Sequence, residues 1–415
     1  MIFKKLEAVF GYKIFRPLQE EIIRRTIAGK DSLVLMPTGG GKSMCFQIPA
    51  LCLEGVTLVV SPLISLMKDQ VQALQANGVK ANFFNSSLSP FEENKVIQDA
   101  VNGETKILYL SPEKLIAVKN TWLKQLNISL VAIDEAHCVS MWGHDFRKEY
   151  TQLNSFRKSL AHVPFIALTA TADKSTRVDI VNQLGLEDSE LFISSFDRKN
   201  ISIDVRGNVS KKDKLKQIVN FINSKPNESG IIYCLSRKNT EELSAHLNSF
   251  GIDSHCYHAG LDGQLRAQVQ TDFINDTSKI IVATIAFGMG IDKSNVRWVI
   301  HSNLPKNLEG YYQEIGRAGR DSLPSETLLY YTMRDVVLYR QFAADSANSE
   351  MQIDKLNRML QFSQAKSCRR KILLSYFGEF LAENCNNCDA CSNPPQNFDA
   401  TIIAQKALSV TARMN

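Results

Sequence analysis

A chain of 415 residues, 44% hydrophobic and 22% charged, exceeds one ordinary core at about 150 residues per domain, and its composition excludes disordered, collagenous and coiled-coil classes. Forty-eight Lys plus Arg against 43 Asp plus Glu leave a charge of +5, which permits a polyanionic partner without demanding one. No run nears the ~20 apolar residues of a membrane span, and an N-terminus carrying Lys4, Lys5, Glu7 and Lys13 is no signal peptide, so secreted and membrane classes fall away.

From residue 31 to about 331, short apolar runs alternate with helical-looking segments. Strands are expected at 32–36, 57–60, 107–110, 130–134 and 165–168, then at 230–234, 280–283, 297–302 and 327–331. Such runs read as strands buried on both faces, in parallel sheets covered by helices. They fall into two groups around the polar stretch 188–210, which holds Asp197, Arg198 and Lys199, with a hinge expected near Arg206. The fold class is therefore α/β, as two lobes with one sheet each. After Arg334 the pattern turns helical, with Ile353, Leu356, Met359 and Leu360 on one face, and residues 372–380 continue it. This last unit is small enough to need a metal staple.

Pro37-Thr38-Gly39-Gly40-Gly41-Lys42-Ser43 follows an expected buried strand and precedes a segment able to be helical. Glycines let backbone N–H groups curl around phosphates, Lys42 reaches the β- and γ-phosphates, and Ser43 suits Mg²⁺. The strict pattern has Gly where Met36 stands, so the fit is to a shorter TGGGKS form. Asp134-Glu135-Ala136-His137 ends another expected strand, 92 residues after Lys42. There Asp134 can hold Mg²⁺ through water, and Glu135 can orient and deprotonate an attacking water. In the second group, Gly316-Arg317-Ala318-Gly319-Arg320-Asp321 sets two guanidinium groups three residues apart, where a helix would carry both on one face. They serve a nucleotide's phosphates across the cleft, or they pair with Glu309 or Glu314.

Ser140-Met141-Trp142-Gly143-His144-Asp145-Phe146-Arg147 interleaves aromatics and cations in an expected loop just past the acidic motif. Trp142 and Phe146 suit base stacking and Arg147 suits phosphate. Nine cysteines with odd count and no regular spacing argue against a disulfide framework and for a reducing, cytoplasmic setting. Cys385, Cys388 and Cys391, with Cys368 upstream across sixteen intervening residues, supply the four thiolates of a closed zinc site. Ferredoxin-type iron–sulfur ligands share the Cys-x2-Cys-x2-Cys spacing, but that pattern continues with a fourth Cys, followed by Pro, at position 395, where this chain has Pro and no Cys. Arg369, Arg370 and Lys371, beside Cys368, are expected to lower thiol pKa values and to face a polyanion.

Together these motifs, with Thr169-Ala170-Thr171 and Tyr312-Gln313-Glu314 leading into Gly-Arg-Ala-Gly-Arg, resemble a superfamily 2 helicase. Phe10-Gly11-Tyr12, Phe15-Arg16-Pro17-Leu18-Gln19, Ser61-Pro62-Leu63-Ile64-Ser65 and Ala283-Thr284-Ile285-Ala286-Phe287-Gly288 narrow the resemblance to the RecQ family of DNA helicases, over essentially the whole chain. The resemblance implies RecA-like lobes over 1–206 and 207–340, a helical zinc unit over 341–395, and a tail at 396–415 that looks like the start of a winged-helix domain. It implies ATP with Mg²⁺, zinc rather than iron–sulfur, and adenine recognition by Gln19 with Arg16 near it. Trp142, His144, Phe146 and Arg147 would form the aromatic-rich loop, with His144 linking it to the nucleotide, and Asp292 would reach toward the lobe interface. The implied activity is ATP-dependent 3′→5′ unwinding in repair and recombination, acting on single-stranded and partly duplex DNA near the bacterial nucleoid. An ATP-gated binding or strand-annealing module and an RNA helicase are the competing readings.

Overall fold

Strands that are apolar on both faces must be covered on both, and here they assemble into two separate parallel sheets. The computed structural model describes residues 1–141, 146–288, 293–344, 348–394 and 399–414. The first sheet contains β1 (Ser32–Leu35), β2 (Val56–Val60), β3 (Ala81–Phe84), β4 (Ile107–Leu110), β5 (Ile128–Ile133), β6 (Phe165–Thr169) and β7 (Glu190–Ile193), in the order β3-β4-β2-β5-β6-β1-β7. The second contains β8 (Ile201–Gly207), β9 (Ser229–Tyr233), β10 (His255–Tyr257), β11 (Ile280–Ala283), β12 (Val296–His301) and β13 (Ser325–Tyr331), in the order β10-β11-β9-β12-β13-β8.

Register decides what meets at the strand ends. Leu35 lies opposite Thr169 and Val60 opposite Ile133, so the turns after β1, β2, β5 and β6 converge on one edge of the first sheet. In open parallel sheets ligands bind at that carboxyl edge.

Two expected boundaries move. The hinge does not fall at Arg206: β8 pairs along its whole length with β13, so residues 201–207 belong to the second sheet and the lobes divide between Ile193 and Ile201. The boundary at 340 falls inside the helix Met333–Ala344. The helical unit (Met333–Ala344, Ser349–Gln364, Arg369–Tyr376) is also not packed on itself alone. Leu356, Met359, Phe362 and Phe377 share one core with Leu308, Tyr311 and Tyr312 of the second lobe and Phe196 of the joining segment. A backbone bridge joins Ile203 to Cys388, and Lys355 pairs with Glu309 in the interior. That shared core supplies the burial which so few residues lack alone. The helix Thr401–Met414 has its described side chains exposed, and no helix among the described residues is long and apolar enough to cross a membrane.

Candidate active site

β1 is buried throughout, and its end turns through Pro37–Ser43 into the helix Met44–Cys52. Two glycines make the turn possible. Gly39 (φ +78°) and Gly41 (φ +84°) occupy the left-handed region, and a Cβ on Gly41 would lie 2.4 Å from Gln19 Nε2. Lys42 Nζ donates to the carbonyls of Met36 (3.2 Å) and Pro37 (3.4 Å), which folds its ammonium back into the loop. Burial lowers its pKa, with Glu135 and Asp134 opposing that shift.

Gln19 opens the helix Gln19–Ile27 and is only 4% exposed. Its Oε1 accepts from Arg16 N–H (2.9 Å) and its Nε2 donates to Gly41 O (3.0 Å), while the Arg16 guanidinium donates to Gly39 O. A carboxamide has two donors and two acceptor lone pairs, so one of each remains.

Asp134 caps β5, its N–H bonded to Val60 O (2.8 Å), and its carboxylate accepts from Glu135 N–H (3.0 Å). Burial and the Glu135 charge push its pKa up to about 7. Such a carboxylate is costly alone and well suited to a hard cation. The Ser43 hydroxyl makes no cap bond to its helix, so Ser43 and Asp134 together fit Mg²⁺. Glu135 sits in the left-handed region at φ +48°. Burial raises its pKa as well, but His137, Lys42 and Arg317 outweigh it and hold the carboxyl below the usual range. Its Oε2 lies 3.3 Å from His137 Nδ1 and has no hydrogen-bond partner. His137 is fully buried and Nδ1 also meets Thr169 Oγ1 at 2.9 Å, which ties the acidic motif to the Thr-Ala-Thr turn after β6. Burial disfavours the His137 imidazolium, yet Cys138 and Glu135 push its pKa up to about 10.

From the second lobe come Arg317 and Arg320. They are not on a helical face: the helix Leu308–Ile315 ends before them, and residues 316–320 form a turn with Gly319 at φ +57°. The two carboxylates weighed as their partners lie elsewhere, Glu309 with Lys355 and Glu314 with His301 at 2.6 Å. Arg317 is 4% exposed and its Nε has no hydrogen-bond partner. A single cavity of about 420 Å³ is lined by Arg16, Gln19, Thr38, Gly39, Gly41, Lys42, Ser43, Asp134 and Glu135 of the first lobe and by Arg317 and Arg320 of the second. Gly40 is not among its lining residues; a Cβ there would meet Pro37 O at 2.9 Å, so its smallness serves the turn.

The Sγ atoms of Cys368, Cys385, Cys388 and Cys391 lie within 4.8 Å of one another. Four sulfurs at about 2.3 Å from one ion would stand roughly 3.8 Å apart, and the Cys388–Cys391 and Cys385–Cys391 separations of 3.4 and 3.9 Å fit. Backbone N–H groups of Cys385 and Asn387 donate to the Cys368 and Cys385 sulfurs, which favours thiolate. Burial raises the Cys368 thiol, but the backbone N–H groups of Cys385 and Lys371 and the neighbouring thiols outweigh it and bring it to about 7.

Arg369 and Arg370 do not face outward. Arg369 (6% exposed) forms a two-bond fork with Asp389 at 3.0 and 2.9 Å and donates to the carbonyls of Phe362 and Ser363. Arg370 (4% exposed) pairs with Asp197 at 2.7 Å and donates to the carbonyls of Arg198 and Ile201. Each long cation is consumed by packing the cysteine unit onto its neighbours. Lys371 alone is outward, its Nζ bonded to Ala382 O (2.8 Å).

Of the aromatic segment, Trp142 and His144 lie outside the described residues, as does Asp292. Phe146 is 39% exposed, as a stacking residue requires. Arg147 is turned inward: its N–H bonds Cys138 O (2.8 Å) and Nη1 bonds Pro62 O (3.1 Å), so it anchors the loop's root to the turn after β2.

One contact was not legible in advance. Arg198, a residue of a polar joining stretch by sequence, reaches Thr38 O (2.9 Å) in the phosphate loop and the carbonyls of Gly316, Ala318 and Gly319 in the second lobe. Its only signal was an Arg between two expected sheets.

Two parallel-sheet lobes that enclose a phosphate loop, an Asp-Glu-Ala-His strand end and an arginine turn define a two-lobed helicase core. Family models for the DEAD/DEAH box helicases, the helicase conserved C-terminal domain and the RecQ zinc-binding region match residues 16–179, 210–322 and 333–392. The chain belongs to the RecQ family of helicases. It is 49% identical to the ATP-dependent DNA helicase RecQ of Pasteurella multocida, over 99% of this chain and 65% of the relative. It is 40% identical to RecQ of Bacillus subtilis, over 98% of this chain and 69% of that protein. A putative ATP-dependent RNA helicase of Acanthamoeba polyphaga mimivirus is 43% identical over 97% of this chain and 74% of its own length. The chain thus spans about two thirds of the length of these relatives. Among solved structures, Mss116p bound to single-stranded RNA and AMP-PNP matches with TM-score 0.68 at 16% identity, covering 98% of this chain and 92% of that one. The helicase MrfA bound to DNA matches with TM-score 0.67 at 17% identity, covering 87% and 56%. These likenesses establish the fold.

Proposed function

We propose that this chain is an ATP-driven DNA motor that moves 3′→5′ along a single strand and opens duplex ahead of it, in repair and recombination in the bacterial cytoplasm. The observation that carries the reading is the 420 Å³ cavity shared by Lys42 and Glu135 of one lobe and Arg317 and Arg320 of the other.

Each residue has a role that follows from its surroundings. The remaining donor and lone pair of Gln19 match the hydrogen-bonding edge of adenine. Lys42 and the loop amides bind the phosphates. Ser43 and Asp134 would hold Mg²⁺, which supplies charge neutralisation at the phosphates when bound. Glu135 takes the proton of the attacking water, with His137, 3.3 Å from its Oε2, holding the carboxylate in place. Arg317 and Arg320 meet the charge that develops on the transferred group. Because they come from the opposite lobe, occupancy of the cleft is coupled to lobe closure, and a strand gripped by both lobes is moved by each cycle.

Phe146 follows the acidic motif by few residues and Arg147 roots it beside Pro62, at the turn after β2, so a base stacked on Phe146 is mechanically linked to the strand ends that carry Asp134. The four cysteines hold Zn²⁺ as a structural ion.

The reading is tested by ATP-dependent unwinding of duplexes with a 3′ or a 5′ single-stranded tail, with an RNA duplex as a third arm. Opening of the 3′-tailed DNA alone is expected. Opening of 5′-tailed DNA in preference overturns the polarity, and preference for the RNA duplex overturns the substrate. DNA-stimulated hydrolysis with no strand release selects a binding or annealing module instead.

A further inference from the structure

The segment between the lobes, residues 194–200, is gripped from both sides. From the helical unit, Glu379 accepts from Phe196 N–H (2.7 Å) and the Ser195 hydroxyl (2.6 Å), and Arg370 holds the Asp197 carboxylate and the Arg198 carbonyl (2.6 Å). From the second lobe, the Tyr312 hydroxyl donates to Phe196 O (2.8 Å). The Phe196 ring stacks on Phe377 with centroids 4.8 Å apart. A segment held this way is a fixed mount.

What it mounts is the Arg198 side chain. Nη1 donates to Thr38 O at 2.9 Å and Gly316 O at 3.2 Å; Nη2 donates to Ala318 O at 2.9 Å and Gly319 O at 2.8 Å. Three bonds brace the turn that carries Arg317 and Arg320, and the fourth crosses to the phosphate loop. The lobes touch at the same spot, since a Cβ on Gly39 would sit 3.4 Å from Arg320 Cγ and one on Gly316 would sit 3.5 Å from Thr38 Cβ. A planar guanidinium serves four carbonyls at fixed angles; an ammonium on a flexible stem cannot.

We propose that Arg198 is a positioning residue that sets the spacing between the phosphate loop and the Arg317–Arg320 turn, and that Arg370, beside the cysteine site, holds it in place. The inference rests on the ATP-cleft reading above. If Arg198 served only to satisfy carbonyls, its loss would lower stability and leave turnover of the folded protein intact. If it sets spacing, turnover falls while first-lobe nucleotide contacts persist.

The test uses the full chain, with folding checked by circular dichroism and zinc content by atomic absorption. For Arg198→Ala, kcat of single-stranded-DNA-stimulated ATP hydrolysis is expected to fall roughly 10- to 100-fold, the scale of an ångström-level misplacement, with affinity for a fluorescent ATP analogue changed less than about 3-fold. Arg198→Lys, which keeps charge and stem, is expected to lose roughly 3- to 10-fold in kcat. Arg370→Ala should move kcat in the same direction with zinc retained, and the double variant should be no slower than Arg198→Ala alone. Wild-type kcat in Arg198→Lys and in folded Arg198→Ala, or losses that multiply in the double variant, overturn the proposal. Absence of any DNA-stimulated turnover in the wild type would instead remove the cleft reading on which it stands.

Discussion

Two adjacent-looking pairs of arginines do opposite work. Arg369 and Arg370 end every described bond inside the protein, on Asp389, Asp197 and backbone carbonyls. Arg317 is just as buried, yet its Nε finds no partner and its side chain lines a cavity already carrying Lys42. Burying a cation costs several kcal/mol unless it is paired. A saturated pair is structural, whereas the buried Arg317, with its Nε open at a cavity wall, is poised for an anionic ligand. Sequence alone offered the same reading, an arginine near a polyanion, for both.

The contrast can be broken by substitution. The largest effect is expected for Arg317→Ala: a loss of roughly 10³-fold or more in single-turnover ATP hydrolysis, with the thermal midpoint nearly unchanged. Glu135→Gln should follow, at roughly 10²- to 10⁴-fold in turnover with ATP binding retained; unchanged turnover would remove Glu135 from the base role. On the structural side, extracting zinc with a strong chelator should lower the thermal midpoint by roughly 5–15 °C, and re-addition should restore it. Arg369→Ala leaves the half-buried Asp389 carboxylate and the carbonyls of Phe362 and Ser363 without their donor and should cost about 1–3 kcal/mol in denaturant unfolding. Were Arg369→Ala to leave stability intact while weakening DNA binding, the assignment of that pair would reverse. Phe146→Ala is the gentlest: a stacked base contributes about 1–3 kcal/mol, read as weaker single-stranded DNA affinity without loss of stability.

Much of this was legible in the residues, and the exceptions share a cause. All nine expected strands exist. The four that were not expected, β3, β7, β8 and β10, are the four edges of the two sheets. An edge strand is covered on fewer sides, so it lacks the continuous apolar run that betrays a central one. β8, Ile-Ser-Ile-Asp-Val-Arg-Gly, alternates instead, and it lies inside the polar stretch 188–210 that read as a linker.

In the site, the phosphate loop and the cysteine set could be read directly because local spacing carries their chemistry. Arg147 and Arg198 could not. Each acts through bonds to backbone carbonyls, Pro62 in one case and Thr38 and Gly316 in the other, and a carbonyl leaves no mark in sequence. The turn bearing Arg317 and Arg320 also misled, since a three-residue spacing fits a helix that in fact stops at Ile315.

The central claim is that residues of two lobes form one catalytic cleft whose turnover is governed by bound DNA. Steady-state ATP hydrolysis by the full chain, with and without a single-stranded oligonucleotide and with Arg317→Ala alongside, tests it most directly. The account predicts strong stimulation by the oligonucleotide in the wild type and its loss in Arg317→Ala. A rate indifferent to DNA, or a second-lobe variant that hydrolyses as well as the wild type, would contradict it.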